Sequence, residues 1–504
     1  MSYLLGIDAG TTSLKTALFK DDGSYIGEVT QEYKLLTPTI GVVELEAEVY
    51  WQACKRGIKT LLEKTKVNPE KTLSLAICSQ GETFICLDKY GKPLRRAIVW
   101  LDNRSLEEAK IIKKEFSEWQ VFETTGLPQV IPTWPATKIL YLKRKEFSVF
   151  AKTRKFLLLE DYLVYKFTGK YITDYSIATT TLFFDIRNGN WWNEMLEFLG
   201  ISEEQLPELK PSGEIIDELS PEAARETGLS KGTKVSTGAM DQAAAAIGAG
   251  NIKPGIITES TGSSLAMAAT IDKPLYDPKR RIPCYHHALK GKYLLLPYGQ
   301  TAGMVLKWFR DNFCYLENKV AKMVNKDAYD FLTLEAEKIL PGCGGLIMLP
   351  YLTGATTPYF NPAAKGVFFG LTPVHTKAHF IRAIMESVAF LLRDNVKILK
   401  EMGVKVEEIR SLGGGAKSKL WLQIKADVTR KTLAIMKFQE TASLGAAILA
   451  GIATGVFKNT EEACTEMVFI KNIIKPDPKN FSVYDKSYEL YLKLYDSLKN
   501  YFKD

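Results

Sequence analysis

The sequence lacks the patterns that identify several common classes of protein. Its seven cysteines are an odd count without a Cys-x-x-Cys pair, which argues against a disulfide framework and against a zinc site. The four histidines, at positions 286, 287, 375 and 379, do not have metal-ligand spacing. The Gly-x-x-x-x-Gly-Lys-Ser/Thr pattern of P-loop kinases is missing as well. We therefore expect buried thiols in a reducing compartment, and neither a metalloenzyme nor a P-loop kinase.

No segment predicts a membrane span or a secretion signal. The first residues lack a basic, then apolar, then small pattern, and no stretch approaches the roughly 18 unbroken apolar residues of a spanning helix. The net charge is +8, from 66 Lys and Arg against 58 Asp and Glu, and the basic residues are scattered along the chain. We expect a cytoplasmic protein with no membrane partner and no nucleic-acid groove.

The length predicts two domains. Single cores stop growing at about 250–300 residues, and this chain has 504 residues, of which 46% are apolar and 25% charged, as in soluble globular proteins. Strand and helix patterns predict an α/β domain over residues 1–245 and a second one over residues 246–504. The second domain is expected to end in an amphipathic helix at about 480–504, and the functional site to lie in a cleft between the two.

The most informative segment, residues 4–19, is predicted to form two strands around the turn Asp8-Ala9-Gly10-Thr11-Thr12-Ser13. Gly10 permits a positive φ and a close approach to a ligand, while Thr11, Thr12 and Ser13 offer amides and hydroxyls to phosphate oxygens. Asp8 can hold the magnesium that accompanies ATP. The alternative is an ordinary glycine-containing hairpin turn with a surface aspartate.

A similar hairpin is predicted at residues 255–269, around the turn Ser260-Thr261-Gly262-Ser263-Ser264. Two such hairpins facing each other across a cleft can hold a phosphate chain from both sides, which is the architecture of the actin-like ATPases. A later strand at residues 409–412 leads into Gly413-Gly414-Gly415-Ala416 and a helix at 418–428. Bare backbone amides there could meet a ligand, and a tight strand-to-helix turn is the alternative.

The candidate catalytic acid follows a short strand at residues 235–239. It stands in Gly238-Ala239-Met240-Asp241-Gln242, just before a helix of small residues at 243–250. Facing Asp8 across a cleft, Asp241 could accept a proton from a substrate hydroxyl, and Gln242 could hydrogen-bond the same substrate. The alternative for Asp241 is a helix N-cap.

Two polar segments are candidate sugar contacts. The segment Ser79-Gln80-Gly81-Glu82-Thr83 interrupts two apolar strands, so Gln80, Glu82 and Thr83 can face a cleft, and Glu82 can bind sugar hydroxyls. Trp100 follows a buried strand and stands beside polar residues, which suits the mixed apolar and polar faces of a sugar. The alternatives are a solvated hairpin tip and a core tryptophan.

In this order and at these separations, the motifs around Asp8, Asp241 and Gly413 resemble those of the FGGY family of carbohydrate kinases, and the match extends over nearly all of the chain. The segment Gly-Val-Phe-Phe-Gly-Leu at residues 366–371, followed after seven residues by His-Phe and then by Ala-Ile-Met-Glu at residues 383–386, fits the family's carboxyl-side signature at every defined position. In the amino-side signature Lys138 is in place, but Tyr141 stands where a Trp is usual.

The resemblance implies a two-domain α/β kinase with the actin-like ATPase (ribonuclease H-like) fold and its active site in the interdomain cleft. The first domain would bind the sugar and the second the nucleotide. Asp241 would be the general base for a primary hydroxyl that attacks the γ-phosphorus of ATP, and Asp8 and Asp241 would hold Mg²⁺. The implied nucleotide contacts are Gly10, Thr11, Thr12, Ser13, Lys15, Thr261, Gly262, Ser263, Gly303, Lys307, Gly414, Gly415 and Ser418. The family usually has Gly-Thr where this chain has Thr261-Gly262.

The implied substrate is a pentulose, D-xylulose first, with a polyol such as glycerol or erythritol second and gluconate as a further alternative. The loop at Gly81-Glu82 lacks the Met-His pair of xylulokinases, and Glu82-Thr83 and Asp241-Gln242 resemble glycerol kinases. Trp308 and residues 368–371 and 413–416 resemble xylulokinases and gluconokinases. The implied substrate contacts are Gln80, Glu82, Thr83, Trp100, Trp134, Asp241 and Gln242.

Three further expectations complete the sequence-based picture. An actin-like ATPase without a metabolic substrate is the alternative from another class, and the acid at Asp241 argues against it. A sugar sensor without activity is disfavoured because both Asp8 and Asp241 are present. Similar proteins are commonly homodimers, so a homodimer is one of the states considered.

Overall fold

The computed structural model describes residues 2–503. The strands are β1 (Tyr3–Ala9), β2 (Ser13–Lys20), β3 (Tyr25–Glu32), β4 (Glu44–Leu45), β5 (Thr72–Ser79), β6 (Phe84–Leu87), β7 (Ala97–Ile98), β8 (Lys155–Leu158), β9 (Ile172–Asp174), β10 (Phe184–Asp185), β11 (Asn190–Trp191), β12 (Glu208–Lys210), β13 (Ile215–Glu218), β14 (Lys234–Met240), β15 (Gly255–Thr261), β16 (Leu265–Ile271), β17 (Cys284–His286), β18 (Tyr293–Leu295), β19 (Tyr298–Gly299), β20 (Ile347–Pro350), β21 (Gly366–Phe369), β22 (Val406–Leu412), β23 (Thr432–Met436) and β24 (Ile470–Ile474).

The helices are α1 (Ala47–Thr65), α2 (Leu106–Glu115), α3 (Glu118–Thr125), α4 (Pro135–Lys145), α5 (Phe147–Lys152), α6 (Leu159–Thr168), α7 (Tyr175–Ala178), α8 (Asn193–Leu199), α9 (Pro221–Thr227), α10 (Asp241–Gly248), α11 (Gly303–Phe313), α12 (Tyr315–Met323), α13 (Ala328–Glu337), α14 (Lys377–Glu401), α15 (Lys419–Thr429), α16 (Thr441–Ala453), α17 (Thr460–Met467) and α18 (Phe481–Leu498). Strands and helices are interspersed along the chain, and both main sheets contain parallel strand pairs, which confirms the predicted α/β class. Among residues 2–503 no helix is both long and apolar enough to cross a membrane.

The chain forms two compact units, each built from three segments. The first unit contains the residues up to 252 together with 270–294 and 440–468, and the second contains 253–269, 295–439 and the residues from 469 on. This differs from the linear division at residue 245, because α16 and α17 return to the first unit, where α16 packs on β1 and β5. The sugar-binding and nucleotide-binding roles given to the two domains stay predictions.

The first unit is built on a six-stranded sheet with the order β13-β14-β5-β1-β2-β3. Strands β1, β2 and β3 form an antiparallel meander, whereas β1, β5 and β14 run parallel. Their central residues are buried on both faces, and those of β1 and β5 are mostly apolar, as expected for a sheet covered by helices on each side. The predicted hairpin at residues 4–19 is confirmed.

The small residues of α16 let this helix pack directly on the sheet. A Cβ added at Gly6 in β1 would overlap the backbone of Ser443 and Ala447. On the side facing α10, a Cβ at Gly445 would overlap the backbone of Ala244. The sequence predicted a closely packed helix at 443–455, and the observed contacts confirm it.

The second unit repeats the arrangement of the first. In its main sheet, β15 and β16 form an antiparallel hairpin, β15 is parallel to β22, β22 is parallel to β23, and β24 pairs antiparallel with β23. In their order and direction within the sheet, β16, β15, β22, β23 and β24 correspond to β2, β1, β5, β14 and β13. The repeated hairpin that the sequence predicted is therefore part of a repeated sheet.

Two predicted helices end differently in the structure. The pattern at residues 106–119 forms α2 and α3, because the Ser117 side chain accepts a hydrogen bond from the Gln120 amide and caps a new helix. The terminal helix α18 covers Phe481–Leu498 and stops short of the predicted end at residue 504.

Candidate active site

Asp8 and Asp241 lie at the same edge of the first sheet. Strands β1 and β14 both run parallel to β5, and Ser79 at the end of β5 is paired with Ala9 on one side and Met240 on the other. The carboxyl ends of these strands therefore meet, and Asp8 and Asp241 stand close enough for the charge of Asp8 to act on Asp241. The structure brings together the two acids that the sequence singled out.

The turn after Asp8 is held by backbone and tyrosine contacts. The Gly10 amide donates to the Ser13 carbonyl oxygen over 2.9 Å, and the Tyr33 hydroxyl donates to the Gly10 carbonyl oxygen over 2.5 Å. Gly10 was expected to adopt a positive φ, and it does not. Glycine avoids a close contact here instead, because a Cβ at this position would lie 3.1 Å from the Ser13 carbonyl oxygen.

Burial raises the pKa of Asp8 to about 6, and the charge of Glu440 acts in the same direction. The Lys15 ammonium opposes this rise. Lys15 stands opposite Asp8 in the β1–β2 ladder, and it forms an ion pair with Glu440 at the residue before α16. The predicted phosphate contact of Lys15 stays a prediction, because its ammonium is shared with this carboxylate.

The carboxyl of Asp241 has a pKa raised to about 7. Burial is the main cause and the neighbouring charge of Asp8 the second, while the Gln242 amide, which donates to Asp241 Oδ1 over 2.6 Å, partly offsets them. Met240 is the capping residue of α10, and Asp241 is its first helical residue. The N-cap alternative is therefore not observed. A carboxyl that titrates near neutral pH is suited to accept and release a proton.

Glu82 lies beside Asp241 in a strained backbone conformation. Its φ is 58°, a region that non-glycine residues rarely adopt. The buried Lys138 ammonium donates to the Glu82 carbonyl oxygen over 2.9 Å and to that of Val99 over 3.4 Å. The Glu82 amide donates to Thr180 Oγ1 over 3.3 Å. These contacts fix the backbone on both sides of the residue.

Glu82 and Lys138 perturb each other's ionisation. Burial raises the pKa of the Glu82 carboxyl, the Asp241 charge raises it further, and Lys138 opposes the rise. Burial lowers the pKa of Lys138, and the Glu82 charge opposes that. Both groups are therefore less strongly ionised than they would be in water.

The remaining predicted sugar contacts lie around the same strand ends. The Trp100 indole donates to Thr11 Oγ1 over 3.0 Å, and the Trp100 amide donates to Thr83 Oγ1 over 3.3 Å. The Gln80 amide donates to the Ala9 carbonyl oxygen over 3.0 Å. Trp134 is nearly buried, and its indole donates to the Gln129 carbonyl oxygen over 2.7 Å. The substrate roles of these residues stay predictions.

Tyr285 is a site residue that the sequence reasoning missed. It is 6% exposed on β17, and the charges of Glu82 and Asp241, added to burial, raise its pKa well above the ordinary value. Its neighbour His286 donates its amide to Thr179 Oγ1, next to the Thr180 that holds Glu82. Nothing in the surrounding sequence marks this tyrosine, because its position depends on its approach to Glu82 and Asp241, which belong to other segments of the chain.

In the second unit, the β15–β16 turn meets the start of α11. Gly262 and Ser263 are exposed, and the Gly262 carbonyl oxygen accepts the Gly303 amide over 2.9 Å. The Ser263 carbonyl oxygen accepts the Ala302 amide over 2.9 Å. A Cβ added at Gly303 would overlap Gly262. The structure thus joins the predicted turn to the predicted helix start.

The glycine-rich segment after β22 lies against the same turn. Gly413 has φ 71°, and a Cβ at Gly415 would lie 2.7 Å from the Thr261 Cβ. Ser418 caps α15, because its hydroxyl accepts the Trp421 amide over 3.2 Å. Lys307 is exposed and pairs with Asp311 over 2.6 Å. Gly414 is exposed beside this turn. Its nucleotide contact stays a prediction, as do those of Thr261, Lys307, Gly415 and Ser418.

Asp8 and Asp241 have the chemistry of magnesium ligands. They offer carboxylate oxygens, the donors that Mg²⁺ prefers, and their mutual repulsion is only partly compensated by Lys15. Within residues 2–503 no three His, Cys, Asp or Glu side chains are arranged around a metal position.

The chain is similar to known proteins over nearly its whole length. Models of the FGGY family of carbohydrate kinases match residues 3–248 (N-terminal domain) and 260–454 (C-terminal domain). A gluconokinase of Bacillus subtilis is 36% identical over 93% of this chain and 90% of its own length. A xylulose kinase of the same organism is 29% identical over 99% and 98%. The structure of ligand-bound xylulose kinase from Lactobacillus acidophilus matches with a TM-score of 0.90 at 29% identity, over 99% of both chains.

Proposed function

The chain belongs to the FGGY family of carbohydrate kinases and has their two-domain actin-like fold, and we propose that its substrate is a neutral ketose such as D-xylulose. Family membership makes it a phosphotransferase that uses ATP and an alcohol acceptor. The observation that carries the finer proposal is the acid pair at the sheet edge. Asp241, with its pKa raised to about 7, lies beside Asp8 and Glu82.

Asp241 is the general base of the proposed reaction. Its carboxylate takes the proton from a primary hydroxyl of the sugar as the hydroxyl oxygen attacks the γ-phosphorus of ATP and the bond from that phosphorus to the bridging oxygen of ADP breaks. Phosphoryl transfer needs little covalent help and depends on alignment and charge neutralisation. The backbone amide of Gln242 donates to one Asp241 oxygen, and in the proposed reaction the other oxygen accepts the proton.

Mg²⁺ is part of the proposal, with Asp8 and Asp241 as its protein ligands. When bound, the ion neutralises negative charge on the phosphates. The chain's own contribution is to keep the two carboxyl groups adjacent at the ends of β1 and β14. Lys15 and Glu440 form an ion pair beside Asp8, so Lys15 compensates only part of the negative charge at this edge.

The electrostatics of the sugar-binding residues favour an uncharged substrate. The charge of Asp241 raises the pKa of Glu82 and that of Lys138 lowers it, while the charge of Asp8 raises the pKa of Asp241. The Lys138 ammonium is occupied by the carbonyl oxygens of Glu82 and Val99. A carboxylate brought next to Asp8 and Asp241 in their ionised forms would be repelled. The hydroxyls of a ketose can donate to the acids and meet the exposed part of the Trp100 ring.

D-gluconate is the second candidate. It is favoured by one observation, the 36% identity to the Bacillus subtilis gluconokinase, which exceeds the 29% identity to the xylulose kinase of that organism. The carboxylate of gluconate lies at the opposite end from its primary hydroxyl. Binding would therefore require a cation well away from Asp241. A polyol such as glycerol or erythritol remains an alternative, because it is uncharged like a ketose and would not be repelled by the acids.

The nucleotide contacts are proposed separately for each unit. In the first unit they are the turn residues after Asp8, namely Gly10, Thr11, Thr12 and Ser13, with Lys15 beside them. In the second unit they are the residues of the joined turns, namely Thr261, Gly262, Ser263, Gly303, Lys307, Gly414, Gly415 and Ser418. Exposure of Thr12, Gly262, Ser263 and Gly414 supports this assignment, since their backbone is open to a ligand. The cytoplasmic location expected from the sequence belongs to the same proposal.

The test is ADP release from MgATP with a panel of D-xylulose, D-ribulose, L-xylulose, L-ribulose, glycerol, erythritol, xylitol and D-gluconate. We expect one neutral ketose to give the largest kcat/KM. Asp241→Asn should abolish the stimulated rate while ADP still binds. The matched control is Asp217→Asn on β13, which changes a carboxylate of the same sheet outside the site.

Two outcomes would contradict the proposal. Strongest stimulation by D-gluconate would replace the ketose by a sugar acid and would refute the electrostatic argument. ATP hydrolysis indifferent to every compound in the panel would favour the non-metabolic ATPase that the sequence left open.

A further inference from the structure

A completely buried ion pair lies beneath the joined turns of the second unit. Lys425 on α15 and Glu259 on β15 have side chains that are 0% exposed, and Lys425 Nζ lies 2.8 Å from Glu259 Oε1. Removing two charges from water is costly, and their attraction repays that cost only if further hydrogen bonds satisfy both groups. The surroundings of this pair therefore matter more than the pair alone.

Thr261 closes the pair into a ring of hydrogen bonds. Its hydroxyl accepts from Lys425 Nζ over 2.7 Å and donates to Glu259 Oε2 over 2.8 Å. Thr261 is the last residue of β15, and the exposed turn residues Gly262 and Ser263 follow it directly. The buried charges thus fix the end of the strand from which the turn projects.

The same ring lies against the glycine-rich segment. A Cβ added at Gly415 would lie 3.2 Å from Lys425 Nζ and 2.7 Å from the Thr261 Cβ. Lys425 and Gly415 both follow β22, whereas Thr261 and Glu259 belong to β15. The ammonium group is therefore hydrogen-bonded to the end of the first turn and lies against the second, although the two turns are distant in sequence.

A purely stabilising role is the simpler explanation, and the chain offers a comparison for it. Arg382 and Glu386 on α14 form a second buried pair in this unit, with 2.9 Å between Nε and Oε1. Arg382 also donates to the Tyr484 hydroxyl over 2.9 Å, and Glu386 accepts the Gly342 amide. This pair ties α14 to α18 and to residue 342, and it contacts neither turn.

We propose that Lys425 and Glu259 are positioning residues for nucleotide binding. They hold the turn at Thr261–Ser263 in register with the turn at Gly413–Gly415, so that the exposed backbone of both is presented together. The proposal rests on the proposed function, because it assumes that these two turns contact the nucleotide.

The test measures MgADP affinity of the full-length chain by titration calorimetry. We expect Lys425→Met to weaken affinity at least tenfold and to raise the KM for ATP, with a smaller change in kcat. The double variant Lys425→Met/Glu259→Leu removes both charges, which restores the balance of buried charge. It should melt close to the parent protein and still bind MgADP at least tenfold more weakly.

Arg382→Met is the matched control. It breaks a buried pair of the same unit, so it should lower the melting temperature while changing MgADP affinity less than twofold in the folded protein. A double variant that is folded and binds MgADP like the parent would overturn the proposal. So would an equal loss of affinity in Arg382→Met. If the parent protein itself bound no MgADP, the proposed function would fail first, and this inference with it.

Discussion

The pH dependence of phosphorylation should report the interaction between Asp8 and Asp241. In the folded protein burial and the Asp8 charge raise the pKa of Asp241 to about 7. A protonated carboxyl cannot accept the proton of the sugar hydroxyl. The rate constant kcat/KM should therefore fall tenfold per pH unit below about pH 7 and level off above it. Replacing Asp8 by Asn removes the like charge and should move this acidic limb to lower pH.

The expected shift of the acidic limb depends on how much of the raised pKa of Asp241 comes from burial and how much from the charge of Asp8. Burial is the larger contribution to the raised pKa of Asp241, and it remains in Asp8→Asn. Like charges within a few ångströms typically shift a pKa by one or more. We expect the limb to move down by on the order of one pH unit, which corresponds to about 1.4 kcal/mol of repulsion. The absolute rate should fall as well, because the variant loses a proposed magnesium ligand.

The assay is initial-rate kinetics from pH 5 to 9 at saturating MgATP with the best substrate of the panel. Glu28→Gln is the control, because Glu28 is an exposed carboxylate that acts on Lys15 and not on Asp241. Its limb should stay at the parent position. A limb in Asp8→Asn that stays near pH 7, or moves upward, would refute the claim that Asp8 raises the pKa of Asp241.

Three further results are expected. Asp241→Asn should raise the free energy of unfolding of the first unit by about 2 to 4 kcal/mol at pH 8, because the folded state raises this pKa from 3.8 to about 7. In denaturant titrations this gain should disappear as the pH falls towards 4, and a gain that persists there would contradict it. Glu82→Ala should raise the sugar KM about tenfold and leave the KM for ATP unchanged; an unaltered sugar KM would remove Glu82 from the substrate contacts. Gly6→Ala should lower the free energy of unfolding by about 2 kcal/mol or more, because the added Cβ would overlap α16. Gly232→Ala is the control, since its Cβ would meet only Ser230 Oγ at 4.0 Å. This control should change the free energy of unfolding by less than about 0.5 kcal/mol.

The parts of the site that are encoded locally could be predicted from the sequence. The β1–β2 hairpin and the acid at the end of β14 follow from alternating strand patterns and turn residues within about 20 positions. The pairing of Lys425 with Glu259, and the placement of Tyr285 near Asp241, depend on contacts between distant segments. Periodicity carries no information about such contacts. The return of α16 to the first unit was missed for the same reason, although its small residues correctly predicted close packing.

The acid pair and the close packing of α16 are connected physically. Raised carboxyl pKa values mean that the ionised forms of Asp8 and Asp241 destabilise the folded unit at neutral pH. Other contacts of the first unit must therefore offset the free energy that the ionised Asp8 and Asp241 cost. Asp8 lies two residues beyond Gly6, on which α16 packs backbone to backbone, and α10, which begins with Asp241, packs on the same helix at Gly445. The two acids proposed for the reaction thus extend from closely packed backbone contacts of the first unit. Lys15, which is paired with Glu440, compensates their repulsion only in part. The contacts of α16 with β1 and α10 offset the remaining cost, and both carboxylates stay available to the proposed magnesium ion and substrate.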